Sequence, residues 1–240
     1  MKIRKAYNAM VFGLVITCTS GLVKSQSCGM FYPMVNGTEI EMTSYDTLNQ
    51  AGGKSISKIS DVTTTADGKM ATVNMTNKNK DGVVTGTSSW SVKCNGTSVF
   101  VDMQSFVPVK SQNQLKDMTF KAEAGQLEIP QTLSVGLKLN DASVKVTTYK
   151  SNVLYSTMTI KIFNRVVAGI ENITTPAGTF SCYKIMQEMT TEMSINGQTY
   201  PIDMKSAEYY ASGTGLVKNE MFGKNGRLIR YGLLTKITKP

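Results

Sequence analysis

The chain has 240 residues, of which 41% are hydrophobic, and its 26 basic and 17 acidic side chains give a formal net charge of +9. It contains no histidine, which excludes Ser-His-Asp and Cys-His nucleophile activation and histidine-containing zinc sites. The basic residues are scattered singly and no aromatic residues interleave with them, so we expect no nucleic-acid partner.

Residues 1–25 have the features of a signal peptide. A basic start containing Lys2, Arg4 and Lys5 precedes an uncharged apolar stretch over 9–23, and small residues stand where a signal peptidase cleaves, before and at Ser25. The apolar stretch is shorter than the ~20 residues that a transmembrane helix needs. We therefore expect export through the Sec pathway and, at most, peripheral association with a membrane.

The periplasm is the expected compartment, with outer-membrane association or secretion as alternatives. Lipidation at Cys18 is disfavoured because Thr17 stands where a small residue normally precedes the modified cysteine. Cleavage after Ser25 leaves residues 26–240 as a single β domain, with a formal net charge of +5 because four basic residues lie in the removed segment.

Hairpin signals divide the mature chain into long strands. Asp-Gly and Asn-Gly pairs, the strongest short-range hairpin signals, begin at positions 67, 81, 95, 196 and 225. They predict strands near 38–47, 54–66, 69–77, 83–94 and 97–103, and two later hairpins.

Alternating residues indicate that each strand has one buried face. We expect Trp90, Val92 and Cys94 on one such face; the later set comprises Leu154, Met158, Ile160 and Ile162. About ten long antiparallel strands tend to curl. The predicted fold is therefore all-β and mainly antiparallel, a curved meander sheet that forms a half-barrel or flattened barrel with one short helix.

The short helix is predicted from a capping-box pattern at Ser111 and Gln114, followed by Leu115 and Met118. A strand over 119–129 is expected to follow it.

Three cysteines remain after cleavage of the signal peptide, and an oxidising compartment favours one disulfide. We favour Cys28–Cys94, which ties the new N-terminus to the end of a strand and leaves Cys182 as a small buried side chain. The sequence does not fix this connectivity.

Two C-terminal motifs carry a family resemblance. The motif residues are Pro176, Ala177, Gly178, Thr179, Phe180, Cys182, Tyr183 and Lys184, then Tyr209, Tyr210, Gly213, Gly215, Leu216, Val217 and Lys218. They resemble a Bacteroidetes-type exported envelope family, domain of unknown function 3108, also called TapB-like. The resemblance implies an exported, mostly β protein, and no chemistry is established for that family.

Local chemistry assigns structural roles to these motifs. Pro176 fixes φ and Gly178 tolerates positive φ, so the first motif is interpreted as a tight turn entering a strand. Gly213 and Gly215 are interpreted as a backbone bend, with anion binding as the alternative.

Met186, Met189, Met193 and Met204 surround the last large hairpin. Methionine lines adaptable binding surfaces, so these residues are candidates for contact with a lipid or another apolar ligand, although core packing is the simpler interpretation.

The predicted function is a non-catalytic binding module for an apolar or amphipathic ligand. The alternative is an assembly protein that binds another envelope protein through its strand edges. Enzyme activity ranks third: the Ser-x-x-Lys spacings at Ser55–Lys58 and Ser181–Lys184 fall in predicted strands, where the two side chains face apart. We expect no catalytic residue, metal or cofactor. Glycosidase activity stays an alternative, because a carboxylate pair such as Glu39 and Glu41 could supply its two acidic groups.

Overall fold

The computed structural model describes residues 28–107, 118–195 and 197–240. This part of the chain forms one antiparallel sheet, and its only helix is the 3-10 turn Met103–Phe106. The all-β prediction is confirmed. The strands are β1 (Glu39–Asp46), β2 (Ala51–Thr65), β3 (Gly68–Asn79), β4 (Val84–Cys94), β5 (Ser98–Asp102), β6 (Met118–Ala124), β7 (Gln126–Pro130), β8 (Ala142–Lys150), β9 (Val153–Thr175), β10 (Gly178–Ile195), β11 (Gln198–Ala211), β12 (Gly215–Gly223) and β13 (Leu228–Thr238).

The sheet is nearly closed because its two edge strands are neighbours in the chain. The strand order is β6-β8-β9-β10-β11-β12-β13-β1-β2-β3-β4-β5-β7. Between β6 and β7, the Gly125 N–H donates to the carbonyl oxygen of Ser143 at 2.8 Å, and its carbonyl accepts from the N–H of Met103 at 3.0 Å. The chain therefore crosses from one edge of the sheet to the other at Gly125.

This crossing corrects the single strand predicted over 119–129. A Cβ atom at position 125 would lie 2.8 Å from the Ser143 carbonyl oxygen, so glycine permits the close approach at which the strand divides. The helix predicted at Ser111–Gln114 lies outside the described residues. No helix in the described ranges is long and apolar enough to span a membrane.

The turns separate into two groups because neighbouring strands are antiparallel. The turns that join β1 to β2, β3 to β4, β8 to β9, β10 to β11 and β12 to β13 lie at one end of the sheet, which we call the loop end. The turns between β2 and β3, β4 and β5, β9 and β10, and β11 and β12 lie at the opposite end.

The N-terminal segment 28–38 covers this opposite end, which we call the covered end. A disulfide joins Cys28 to Cys94 with a sulfur–sulfur distance of 2.09 Å. The Gly213 N–H donates to the Met30 carbonyl at 2.6 Å. The ring of Phe31 is buried and packs edge-on against Tyr183, with 5.6 Å between centroids. The loop end has no such covering segment within the described residues.

Two apolar clusters lie on opposite faces of β10 and β11. The first includes Val99, Val144 and Ile185, and draws side chains from strands near both edges of the sheet. The second includes Cys182 and Tyr209. We call the face of the first cluster the inner face.

One buried position was predicted wrongly. Leu154 was expected on the buried face, but it is 60% exposed. A register shift between Thr148 and Tyr149 interrupts the alternation just before the turn at the loop end. Val92, Cys94, Ile160 and Ile162 are buried, in agreement with the alternation.

Candidate functional site

An open cleft of about 470 Å³ lies across β12, β13, β1, β2 and the end of β3. Part of its floor is a row of directly opposed residues, in which Asn219 pairs with Gly232 and Gly232 with Ser44. Directly opposed residues share one face of a sheet. The same row continues from Asn219 through Glu208 to Ile185 of the first cluster. The cleft therefore lies on the inner face.

Two glycines leave the floor of the cleft free of side chains. A Cβ atom at Gly232 would collide with Oδ1 of Asn219, whose side chain lies across the glycine. A Cβ atom at Gly53 would lie 2.6 Å from the carbonyl oxygen of Lys78. A side chain at either position would need a shift of its neighbours, so glycine maintains both the strand spacing and the open volume.

The lining combines apolar and cationic side chains with small polar ones. Its apolar members are Met42, Leu216 and Met221, and its cations are Lys54, Lys78 and Arg230. No acidic residue in the described ranges lines the cleft. Glu41 pairs with Lys54 at 2.9 Å, whereas Lys78 and Arg230 form no ion pair within the same ranges. Lys54 is directly opposite Lys78 and Thr43, in the row next to Gly53 and Ser44, so the side chains of both lysines point away from the cleft floor. Arg230, directly opposite Met221, is the cation that the register places on the inner face.

A line of methionines leads from the loop end to the cleft. Met189 pairs directly with Met204, and Met221 pairs with the residue two positions after Met204. Met193 lies on the same strand face as Met189, nearer the loop end. We call Met193, Met189, Met204 and Met221 the methionine track. Met186 lies on the opposite face of β10, against the second cluster.

A buried arginine lies beside this site. Arg165 of β9 is only 2% exposed, and its Nη1 donates to the carbonyl oxygens of Glu128 at 3.0 Å and Asn140 at 2.7 Å. Its Nε donates to Oε1 of Gln187 at 3.2 Å. Because Glu128 belongs to β7, at the far edge of the sheet order, the guanidinium connects β9 and β10 to the strand that closes the barrel.

Glu208 and Tyr210 extend this buried polar group towards the cleft. The Tyr210 hydroxyl donates to Oε2 of Glu208 at 2.9 Å. Burial raises the pKa of the Glu208 carboxyl, although the positive charge of Arg165 opposes the shift. Burial also raises the pKa of Tyr210 well above its ordinary value. Glu208 thus retains its proton more readily than a solvent-exposed glutamate does.

Three residues of the C-terminal motifs converge on the face opposite the cleft. The ring of Tyr209 lies between the Nζ atoms of Lys184 and Lys218, at 5.4 and 5.0 Å from its centroid. Lys184 pairs with Glu171 at 3.0 Å, while Glu220 accepts from the Tyr209 hydroxyl at 2.8 Å and pairs with Lys218 at 2.6 Å. Each charge has an opposite partner, so this arrangement stabilises the sheet and leaves no cation for a ligand.

The remaining motif residues form turns and packing contacts. Thr175 Oγ1 accepts from the Ala177 N–H at 3.1 Å in the turn that contains Pro176, and Gly178 follows with φ +134°. Gly215 has φ +93°, and a Cβ atom there would lie 3.3 Å from the carbonyl oxygen of Phe31. Both glycines of the second motif therefore contact the N-terminal segment: the N–H of Gly213 bonds to it, and the missing side chain of Gly215 leaves room for it.

The other candidate reactive groups are separated or buried. Burial raises the pKa of the Cys182 thiol to about 11. Ser55 and Lys58 lie in β2, and Ser181 and Lys184 lie in β10. No group of three or more His, Cys, Asp or Glu side chains in the described part of the chain could hold a metal ion.

Sequence reasoning did not identify the cleft or Arg165. The cleft residues come from five strands and mix apolar, cationic and small polar types, so no local pattern marks them. The local signal for Arg165 is a charged residue between apolar neighbours in a β-rich stretch, which also describes an exposed strand position. Only the pairing of distant strands distinguishes a buried arginine such as Arg165 from an arginine at an exposed strand position.

The chain matches the DUF3108-like family over residues 35–234. A structure of an inferred lipoprotein from Parabacteroides distasonis ATCC 8503 has 21% identity and a TM-score of 0.72, over 89% of this chain and 100% of that chain. An inferred exported protein with a YmcC-like fold from Bacteroides fragilis NCTC 9343 has 20% identity and a TM-score of 0.70, over 88% and 100%. No curated protein sequence matches. Because this family match spans most of the chain, the chain belongs to the DUF3108-like family.

Proposed function

We propose that this protein is a non-catalytic binding module of the cell envelope that holds an amphipathic, anionic ligand on its inner face. The envelope location is supported by the predicted signal peptide and by the description of both similar structures as inferred lipoprotein or exported protein. The ligand class is supported by the cleft.

The observation that carries this proposal is the composition of the cleft. Its volume of about 470 Å³ falls in the ordinary range for small-molecule sites. Arg230, directly opposite Met221 on the inner face, supplies donors for a carboxylate or phosphate group, while Met42 and Met221 supply apolar contact. A headgroup bound at Arg230 would leave its apolar chain next to Met221, where the methionine track begins.

A titration with oleate tests this proposal, because oleate has one carboxylate and one apolar chain. The mature protein is expected to bind it saturably in isothermal titration calorimetry. Reversing one charge in Arg230→Glu should weaken binding at least tenfold, since a bound anion loses a charge-assisted contact and meets a like charge. Arg227→Glu is the matched control, because Arg227 is an exposed arginine in the adjacent turn that does not line the cleft.

A second pair of variants tests the apolar part of the site. Met204→Gln in the methionine track should weaken oleate binding, whereas Met186→Gln on the opposite face should not. Absence of saturable binding to the wild-type protein, together with absence of any co-purifying small molecule in native mass spectrometry, would refute the ligand proposal. Equal effects of the Arg230 and Arg227 variants would place any binding outside the cleft.

A second candidate function is assembly with another envelope protein through a strand edge. In the described ranges, residues 84–91 of β4 pair with β3 alone, because β5 pairs only with Val92–Cys94. An added strand could use this edge. Ser89→Pro would remove an N–H group from this edge. If the same envelope proteins co-purify with that variant as with wild type, assembly through this edge is excluded.

A further inference from the structure

The loop end of the sheet concentrates exposed apolar side chains. Leu48, Val83, Val153 and Leu154 stand in or beside its turns and are 74%, 60%, 68% and 60% exposed. Tyr200, 53% exposed, stands near the same end of β11. Among the exposed large apolar residues of the described ranges, only four lie away from the loop end: Val35, Met70, Val135 and Ile170. Exposed apolar groups that are concentrated in this way indicate an interaction surface.

The same end also carries an excess of basic side chains. Lys80, Lys150 and Arg227 lie in or beside three of its turns, and none of them forms an ion pair within the described part of the chain. Two acids near this end are already paired, Asp203 with Lys224 at 3.1 Å and Glu192 with Lys161 at 3.2 Å. Two further acids of these turns, Asp46 and Asp81, form no ion pair in the described ranges. Lys78 and Arg230 are also unpaired near this end, so five unpaired bases outnumber these two acids and the unpaired charge at the loop end is positive on balance.

The cleft and the methionine track also lie towards this end. The cleft lining includes the loop-end portions of β2, β3 and β13, and Met193 lies two residues before the end of β10. The N-terminal segment occupies the covered end, through contacts that include Met30 and Phe31. A ligand that follows the methionine track would thus enter or leave at the loop end.

We propose that the loop end is a peripheral docking surface for an anionic lipid bilayer. Aliphatic side chains at the tips of separate turns can enter the interfacial region singly, and tyrosine suits the boundary between apolar and aqueous layers. Unpaired lysines and arginines beside them match a negatively charged lipid surface. This charge complementarity favours a bilayer over a protein groove, because the apolar residues stand on several separate turns and do not form one continuous stripe.

The test is co-sedimentation of the mature protein with vesicles of phosphatidylglycerol and phosphatidylethanolamine, compared with vesicles of phosphatidylcholine alone. We expect binding to the anionic vesicles that weakens as salt rises. The double variant Val153→Thr/Leu154→Thr should bind at least tenfold more weakly. Lys150→Gln should lose about fivefold, the change that corresponds to ~1 kcal/mol for one basic residue near an anionic surface.

The matched control is Val35→Thr/Ile170→Thr, which removes exposed apolar groups away from the loop end. It should leave vesicle binding unchanged. Equal losses in the two double variants, or no preference for anionic vesicles, would overturn the proposal. Because all four replaced residues are exposed, the urea midpoint should stay close to wild type and thereby exclude unfolding as the cause.

The docking proposal does not depend on the proposed ligand. A protein that binds anionic vesicles but not oleate would retain the docking surface and lose the ligand function. A protein that binds oleate but neither kind of vesicle would retain the ligand function and lose the docking surface. Oleate binding to Val153→Thr/Leu154→Thr should match wild type, since neither residue lines the cleft.

Discussion

Replacing Arg165 with methionine should destabilise the fold strongly, because the guanidinium connects strands that are far apart in the sheet order. Its two donations to main-chain carbonyls are 3.0 and 2.7 Å long, and its donation to Gln187 is 3.2 Å long. The carbonyls of Glu128 and Asn140 remain in the variant, and methionine offers them no donor. Leaving such buried acceptors unpaired costs ~1–3 kcal/mol each. The avoided cost of burying a guanidinium offsets part of this loss, so we expect a net loss of ~3–5 kcal/mol.

Urea unfolding, followed by far-UV circular dichroism, measures this loss. With a slope of ~3 kcal/mol per molar urea for a protein of this size, the midpoint should fall by ~1–1.7 M. The control is Arg230→Met, an exposed arginine whose replacement should change stability by less than ~0.5 kcal/mol. A loss below ~1 kcal/mol for Arg165→Met, with an unchanged slope, would refute the idea that this side chain holds the barrel closed.

Three further outcomes are expected. The folded protein holds the Glu208 proton more tightly than the unfolded chain does. The protonated carboxyl therefore stabilises the fold below the ordinary pKa of 4.5, and this contribution is lost as pH rises through the raised pKa of the folded state. The urea midpoint should depend less on pH in Glu208→Gln than in wild type, and an identical dependence would contradict this. Removing the Cys28–Cys94 bond by Cys28→Ser should cost ~4 kcal/mol for a sequence separation of 66, and a midpoint close to that of the oxidised protein would contradict the estimate. Gly215→Ala should lose ~1–3 kcal/mol because position 215 has φ +93° and faces Phe31, whereas a fully stable variant would mean that the N-terminal segment can move aside.

The turns could be predicted from the sequence because their chemistry is local. Asp81-Gly82 and Asn95-Gly96 specify hairpin conformations within two residues, and the observed strands begin and end close to these pairs. The break at Gly125 could not be predicted in the same way. Its cause is the main chain of Ser143, which becomes a neighbour only when β6 and β8 pair.

The candidate site was predicted only in part for a similar reason. The four methionines were selected because they lie near one hairpin, and the register then places Met186 on a different face from Met189. The cleft depends on pairings between the first and last strands of the described chain, such as Ser44 with Gly232. Such pairings have no local sequence signal, and neither does the route by which Arg165 reaches β7.

The pairing of β1 with β13 has a consequence for the order in which the protein can fold. Glu39 of β1 is paired with Thr238 of β13, so one edge of β1 stays open until almost the whole chain is available. Contacts of such long sequence separation slow folding, because the intervening loop must close first. During synthesis, the early β1–β2 hairpin would therefore present an unpaired edge that can capture other chains. A helper that shields this edge until β13 arrives would raise the yield of folded protein more than one that acts on the C-terminal hairpins.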